Sequence, residues 1–450
     1  MGRLFGTDGA RGIAITELSI ELAVMIGRAA AIVLTKATKH KPKIFIGKDT
    51  RLSSDILESA LVAGICSVGA DAHILGVVPT PAVAVLVKKY SADAGVMISA
   101  SHNSMEYNGI KLFSSTGFKL SDELEAEIER LILDNPSEIK LACGENVGRI
   151  TYDKNAEWDY VRYIMKNIEG DFGGLRVAID CANGSASSTA EKLFKGLGAS
   201  CYFISNTPDG TNINKDCGST YLDALKKCVI DNKCHVGLAF DGDADRCLAV
   251  DELGNTVDGD KLIAIFAQYM RKTGKLRHNA AVVTVMSNLG FFRFAKENSI
   301  VVATTAVGDR YVLEEMLNGG YNLGGEQSGH IIFLDEATTG DGQLTGAKLL
   351  HILAHTTLTM SQLSQIMETY PQVLVNVKIK PEQRGSWKND IAVCEAIAYC
   401  EEKLSGDGRI LVRESGTEPL VRVMLEGRQY GQIVQYANTI ARVIRERCPE

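Results

Sequence analysis

Three aspartates at alternate positions, Asp241-Gly242-Asp243-Ala244-Asp245-Arg246, follow directly on the apolar run 236–240. In a tight loop that spacing gathers hard oxygen ligands at one point. This suits Mg²⁺, which takes carboxylates and commonly bridges to phosphate. Without a cation the three carboxylates repel one another, so a solvated turn is the weaker explanation. The pattern overlaps the start of an EF-hand loop, but the apolar run before it and Leu248-Ala249-Val250 after it disfavour helix-loop-helix. Asp258-Gly259-Asp260 looks similar, yet it precedes a helical pattern, and helix capping explains it better.

A second candidate is Met97-Ile98-Ser99-Ala100-Ser101-His102-Asn103, followed by Asn108-Gly109-Ile110-Lys111. An apolar strand runs out into small polar residues, and ligands bind at strand C-termini of open α/β sheets. The Ser101 hydroxyl can serve there as nucleophile or phosphoryl carrier. A turn rich in Ser and Asn is the commoner occurrence, so the segment alone decides nothing. Arg413-Glu414-Ser415-Gly416-Thr417-Glu418-Pro419, with Arg422 behind it, sets hydroxyls and backbone N–H groups between two arginines. Such a loop makes an anion nest with guanidinium forks for phosphate. A polar β-turn explains its glycine but not both arginines.

Gly324-Gly325-Glu326-Gln327-Ser328-Gly329-His330 offers a carboxylate, an amide and a hydroxyl for sugar hydroxyls or an amine, with His330 for acid–base chemistry. A loop with one incidental histidine explains it equally well. Segments 5–12 and 47–51 each place an arginine, Arg11 or Arg51, beside glycine and aspartate. Positioning of the serine loop is one reading of them, and surface turns are the other.

Short apolar runs alternating with helical patterns must position these residues. Strands are expected over 43–47, 72–78 and 94–99, with helices over 54–69 and 81–90. The alternation returns with strands at 175–180, 200–204 and 236–240 and helices at 187–197 and 221–231. It returns again with helices at 261–271, 291–297 and 309–317 and strands at 280–286 and 300–303. This order favours α/β units with mainly parallel sheets. The last eighty or so residues read as strands 373–380, 409–413 and 420–426 with helices 390–403 and 432–445, a smaller α+β domain. Boundaries fall near residues 150, 255 and 368, giving domains 1–150, 151–255, 256–368 and 369–450.

A length of 450 residues exceeds what one hydrophobic core serves. A net charge of −7 argues against nucleic acid as the main partner, since phosphate backbones demand a basic face. The N-terminus lacks the pattern of a signal peptide, and no apolar stretch reaches the length of a membrane span. The 11 cysteines are scattered without a C-x-x-C pair, as expected of reduced thiols in a cytoplasmic protein, and the 8 histidines show no metal-ligand spacing.

The four main motifs, in this order and spacing, resemble those of the α-D-phosphohexomutase superfamily over essentially the whole chain. Ser-Ala-Ser-His-Asn with Asn-Gly-Ile-Lys is similar to its phosphoserine loop, Asp-Gly-Asp-Ala-Asp-Arg to its metal loop, Gly-Glu-Gln-Ser-Gly-His to its sugar loop and Arg-Glu-Ser-Gly-Thr-Glu-Pro to its phosphate loop. The opening Gly-Thr-Asp-Gly-Ala-Arg-Gly and Gln327 resemble the amino-sugar branch. The glucose and mannose branch more often carries Met at the Gln327 position. The resemblance implies three similar mixed α/β domains and a smaller α+β domain around a central cleft. It implies interconversion of glucosamine 6-phosphate and glucosamine 1-phosphate on the route to UDP-N-acetylglucosamine and peptidoglycan.

Under this resemblance Ser101 is the phosphorylated residue, and Asp241, Asp243 and Asp245 hold one Mg²⁺ per subunit together with it. Glu326, Gln327 and Ser328 meet the sugar. Arg413, Ser415, Gly416, Thr417 and Arg422 grip the non-reacting phosphate. Arg11, His102, Lys111, Arg246 and His330 support phosphoryl and proton transfer. The implied partners are a sugar phosphate and a sugar bisphosphate activator, and a homodimer is an assembly compatible with the resemblance. Ser104 stands where the family often has Pro, which removes a φ restraint from the serine loop. Three alternatives stay open: a glucose or mannose mutase of the same superfamily, a metal-dependent sugar-phosphate phosphatase, and a catalytically silent sugar-phosphate sensor.

Overall fold

The apolar runs resolve into four sheets in a computed structural model that describes residues 3–6, 8–414 and 419–449. The chain divides into two compact units, Met1–Met286 with Asn298–Ile366, and Ser287–Glu297 with Met367–Glu450.

The first unit holds three sheets. One has seven strands, β1 (Phe5–Gly6), β2 (Gly9–Ile13), β3 (Lys43–Lys48), β4 (Asp71–Val77), β5 (Ala94–Ile98), β6 (Tyr107–Ser114) and β7 (Ile150–Tyr152), in the order β1-β2-β6-β5-β3-β4-β7. β5, β3, β4 and β7 run parallel, while β6, β2 and β1 add on antiparallel. Helices Ile20–Leu34, Leu52–Ser67 and Asp122–Leu133 pack on the face that carries Ile44, Ile46, Ala94 and Val96. Helix Thr80–Lys89 lies against the other face, its Val83 beside Gly47 and Gly95. Burial on both faces is why β3 and β5 read as continuous apolar runs rather than as alternation.

The second sheet comprises β8 (Arg176–Asp180), β9 (Ser200–Ile204), β10 (Val236–Phe240), β11 (Cys247–Asp251) and β12 (Thr256–Val257), ordered β12-β11-β10-β8-β9. The third comprises β13 (Ala280–Thr284), β14 (Val301–Thr305), β15 (Leu323–Gly325) and β16 (Ile331–Phe333), ordered β14-β13-β15-β16. In both, a parallel run is extended by antiparallel strands: β11 and β12 in one, β16 in the other. The sheets are therefore mixed, which corrects the expectation of mainly parallel sheets. A buried strand after a loop shows its apolarity in the sequence but not its direction.

In the second unit β17 (Gln372–Lys378), β18 (Gly408–Glu414) and β19 (Leu420–Gly427) form an antiparallel sheet in the order β17-β19-β18. Helices Ile391–Leu404 and Tyr430–Arg447 cover it through Val393, Leu404, Ile433 and Ile440. Helix Leu289–Glu297 also belongs here, tied by the Asn288 amide and the Leu289 N–H to the buried Glu426 carboxylate.

One plan recurs. Three of the candidate loops are the bend between a strand and its antiparallel partner: 99–106 between β5 and β6, 241–246 between β10 and β11, and 326–330 between β15 and β16, while residues 415–418 lie outside the described residues. These three leave the C-terminal end of a parallel run. Asp258 caps helix Gly259–Lys272 by accepting from the Lys261 N–H, as its spacing suggested. Among the described residues no helix is long and apolar enough to cross a membrane, and the cysteines are free thiols.

Candidate active site

β10 delivers Asp241, Asp243 and Asp245 into one buried cluster, with a carboxylate oxygen from each within 4.8 Å of the others. The Oδ1 atoms of Asp243 and Asp245 are buried without a hydrogen bond. Burial, with the neighbouring charges of Asp245 and Asp243, pushes the Asp241 carboxyl well above the usual carboxylate range. Burial also acts on Asp243, but Lys111 outweighs it and holds that carboxyl down at about 2. The Thr80 hydroxyl donates to Asp243 Oδ2 at 2.5 Å. A hard, buried, under-satisfied oxygen set of this kind fits Mg²⁺.

Ser101 stands at the head of the adjoining loop with φ +52°, in the left-handed region. Its Oγ donates to Asp241 Oδ2 at 2.6 Å, across two sheets of the first unit. Its own N–H donates to Ser99 Oγ at 3.0 Å, and Ser99 Oγ donates to Asp49 at 2.6 Å. Arg51, fully buried against Asp49, donates to the carbonyls of Ser101, Asn103 and Ser104. The Asn214 amide donates to the same Ser101 and Asn103 carbonyls, each at 2.9 Å. Gly242 allows the metal and serine loops to meet, since a Cβ there would lie 2.6 Å from the Ser101 carbonyl oxygen.

Cations converge from β2 and β6. Lys111 Nζ lies 2.8 Å from Asp243, 3.0 Å from Asp8 and 3.3 Å from Asp245. Burial opposes its charge, but the three carboxylates hold the ammonium well above its ordinary pKa. Arg11 pairs with Asp8 at 2.7 Å, and Lys119 bridges Asp8 and Asp309. Burial pushes the Asp8 carboxyl up, yet Lys111, Lys119 and Arg11 together hold it well below the usual range. His102 Nδ1 is 3.3 Å from Ser101 Oγ. Burial, with Arg246 and Arg11 nearby, lowers the His102 pKa to about 4, so its imidazole is neutral at physiological pH.

The Arg246 backbone bridges to His330, bringing the sugar-loop hairpin onto the metal loop. Its N–H donates to Asp241 Oδ1 at 3.2 Å, while its guanidinium stays charged because Asp241 and Asp245 outweigh the effect of burial. His330 Nε2 lies 3.5 Å from Asp309 and 4.0 Å from Asp245. Glu326 Oε1 accepts from the Gly308 N–H at 3.1 Å, and burial raises its carboxyl. Gln327 Nε2 donates to Asp258 at 3.2 Å, and Ser328 Oγ is buried without a hydrogen bond.

The first unit thus brings together Ser101, His102, Lys111, Arg11, the three aspartates, Arg246 and the sugar-loop residues. In the second unit Arg413 and Arg422 are direct partners across β18 and β19. Burial, with Arg422 alongside, lowers the pKa of Arg413. Ser415, Gly416 and Thr417 lie outside the described residues. Sequence reasoning passed over Asp8, Thr80, Lys119, Asn214 and Asp309 as individual site residues. Asp8 lay inside the 5–12 segment, whereas the others carry no local signal.

Four family models match the chain. They are described as phosphoglucomutase/phosphomannomutase alpha/beta/alpha domain I at residues 2–138, domain II at 158–254, domain III at 258–370 and the C-terminal domain at 374–443. The phosphoglucosamine mutase of Acetivibrio thermocellus is 54% identical over 447 residues, 99% of this chain and 100% of that protein. That of Caldicellulosiruptor saccharolyticus is 54% identical over 449 residues, again 99% and 100%. Among solved structures, a phosphoglucomutase/phosphomannomutase family protein from Burkholderia thailandensis aligns with a TM-score of 0.80 at 22% identity, covering 98% of this chain and 97% of its own. The N-acetylphosphoglucosamine mutase of Aspergillus fumigatus aligns with a TM-score of 0.71 at 17% identity, covering 98% and 95%. These two structures share the fold.

Proposed function

We propose that this chain, which belongs to the phosphoglucomutase/phosphomannomutase family, interconverts glucosamine 6-phosphate and glucosamine 1-phosphate in the cytoplasm, with Ser101 as phosphoryl carrier. The observation that carries this reading is the Ser101 hydroxyl 2.6 Å from Asp241, inside the buried aspartate cluster. Full-length likeness to phosphoglucosamine mutases supports the choice of sugar.

Phosphoryl transfer depends on positioning and charge stabilisation more than on covalent chemistry by the protein. Phosphorylated Ser101 gives its phosphoryl group to the free hydroxyl of the sugar phosphate. The serine Oγ–P bond breaks, a sugar O–P bond forms, and a bisphosphate results. The bisphosphate reorients, and its other phosphate returns to Ser101. His102, 3.3 Å from the Ser101 hydroxyl, and His330 support proton transfer at the serine and sugar hydroxyls. Lys111, Arg11 and Arg246 concentrate positive charge where the transferring group becomes anionic. Glu326, Gln327 and Ser328 bind the sugar, and Arg413 and Arg422 with Ser415, Gly416 and Thr417 hold the phosphate that does not react. Asp241, Asp243 and Asp245 would hold Mg²⁺ with the serine phosphate, and the ion would supply Lewis-acid neutralisation of phosphoryl oxygens.

A coupled assay with Mg²⁺ and a sugar bisphosphate tests the reading, comparing glucosamine 6-phosphate with glucose and mannose 6-phosphates. The highest kcat/KM is expected for the amino sugar. Equal or better turnover of glucose or mannose phosphate would overturn the substrate assignment. Release of inorganic phosphate in place of isomer would overturn the mutase assignment.

A further inference from the structure

Ser101 is held in a backbone conformation that a serine rarely adopts, and two side chains from separate elements meet at its carbonyl. Its φ of +52° places it in the left-handed region, which for a residue other than glycine persists only where the surroundings over-determine it. Arg51 Nη2 donates to the Ser101 carbonyl at 3.1 Å and to the Asn103 carbonyl at 2.8 Å. Asn214 Nδ2 donates to the same two carbonyls at 2.9 Å each, from the connection after β9 in the second sheet's domain. The Arg51 fork is itself fixed by Asp49, with Nε donating to Asp49 Oδ2 at 2.9 Å. The loop therefore carries four donations onto two carbonyls, from two nitrogens that share no chain segment.

We infer that Asn214 and Arg51 are positioning residues for phosphoryl transfer, a carbonyl clamp that keeps Ser101 in its left-handed conformation with Oγ directed at Asp241. The inference rests on the reading of Ser101 as carrier. It assigns to the second domain a share in orienting the nucleophile, beyond its supply of aspartates. The clamp acts on the backbone and does not touch the reacting atoms. Ser104 supplies no ring restraint on the same loop, and its carbonyl is also taken up by Arg51.

Asn214 is the residue to test, because it is neutral and half-buried, whereas removing Arg51 would strand the buried Asp49 carboxylate. Asn214 has φ +56°, which both glycine and aspartate tolerate. Asn214→Gly deletes the donor, and Asn214→Asp keeps the shape but turns a carboxylate toward two carbonyl oxygens. The single-turnover rate of phosphoryl transfer from a sugar bisphosphate to Ser101 is measured with kcat, KM and the thermal midpoint. The expected transfer rates fall roughly tenfold in Asn214→Gly, the worth of an ordinary hydrogen-bond pair, and about 100-fold in Asn214→Asp through misplacement of the nucleophile. KM for the sugar phosphate and the thermal midpoint stay near wild type.

A packing role predicts the opposite order, with the isosteric aspartate milder than glycine. That order, or unchanged transfer in both variants, overturns the clamp. Arg51→Lys keeps the charge beside Asp49 but loses the fork, and it is expected to slow transfer with KM held. Wild-type transfer in it also overturns the clamp. Ser101→Ala, run alongside, separates the two claims. Full turnover there removes the carrier itself, whereas an inactive Ser101→Ala with the wrong Asn214 order removes only the clamp.

Discussion

Replacing Lys111 with methionine tests how the site balances charge. Lys111 is 1% exposed, and its ammonium meets Asp243 at 2.8 Å, Asp8 at 3.0 Å and Asp245 at 3.3 Å. At an effective dielectric near 20 each pair attracts by about 5–6 kcal/mol. Much of that offsets the desolvation of four buried charges, so the measurable effect is the penalty of leaving carboxylates uncompensated, about 3–5 kcal/mol. The assay is urea unfolding in EDTA, followed by far-UV circular dichroism and by Trp158, the only tryptophan in the unit that holds Lys111. With a urea slope of about 1–3 kcal/mol/M, the first unit's midpoint falls by roughly 1–5 M. Mg²⁺ restores more of this loss in Lys111→Met than it adds to wild type, because the ion takes over the missing positive charge. A midpoint within about 0.3 M of wild type, on the same slope scale, would refute the view that Lys111 compensates the aspartate cluster. Equal Mg²⁺ responses would refute it as well.

Three further outcomes are expected. Burial pushes the Asp341 carboxyl up to about 6. A carboxyl that holds its proton more tightly when folded contributes stability at low pH and loses it as pH rises from about 4 through 6. Asn keeps both the helix cap to the Leu344 N–H and the acceptor for Tyr160. Asp341→Asn is therefore expected to be more stable than wild type by about 2–3 kcal/mol at pH 8 and equal near pH 4, as read from unfolding midpoints across pH. Thr80→Val removes the donor that orients Asp243 and is expected to raise the Mg²⁺ dissociation constant about tenfold, by calorimetric titration; an unchanged constant would contradict the orienting role. Arg413→Met relieves like charges directly opposed across β18 and β19. It is expected to leave the second unit as stable or slightly more so, by up to about 1 kcal/mol, while KM for the sugar phosphate rises about 10–100-fold. A stability loss with unchanged KM would mark this arginine as structural.

What the sequence disclosed and withheld follows from locality. The aspartate triplet, the serine loop and the arginine hairpin each place their chemistry within a few adjacent residues, so type and spacing alone expose them. Strand β10 falls on the expected residues because a buried apolar run ended by a polar loop is explicit in the chain, and the half-exposed β9 does so through its short run of apolar and aromatic residues. Helix Gly342–Ala354 was passed over because it is buried almost all round and shows little amphipathic contrast. Strand direction was hidden for a similar reason: β11 is buried on both faces and reads the same in either sense. Asn214, Thr80, Lys119 and Asp309 are single polar residues in ordinary surroundings. Only the tertiary fold carries Asn214 to the Ser101 carbonyl and Lys119 between Asp8 and Asp309. Arg51 lies between these cases, since its segment stood out but its three carbonyl partners did not.

The most direct test of the central claim is to follow the phosphoryl group itself. The purified protein is incubated with Mg²⁺ and a radiolabelled sugar bisphosphate, digested and mapped, while a second aliquot of labelled protein is chased with unlabelled glucosamine 6-phosphate. The account predicts label on Ser101 alone, transfer of that label into sugar phosphate at a rate compatible with turnover, and neither event in Ser101→Ala. Isomerisation that proceeds with no label on Ser101, or with label that cannot be chased into the sugar, would contradict it.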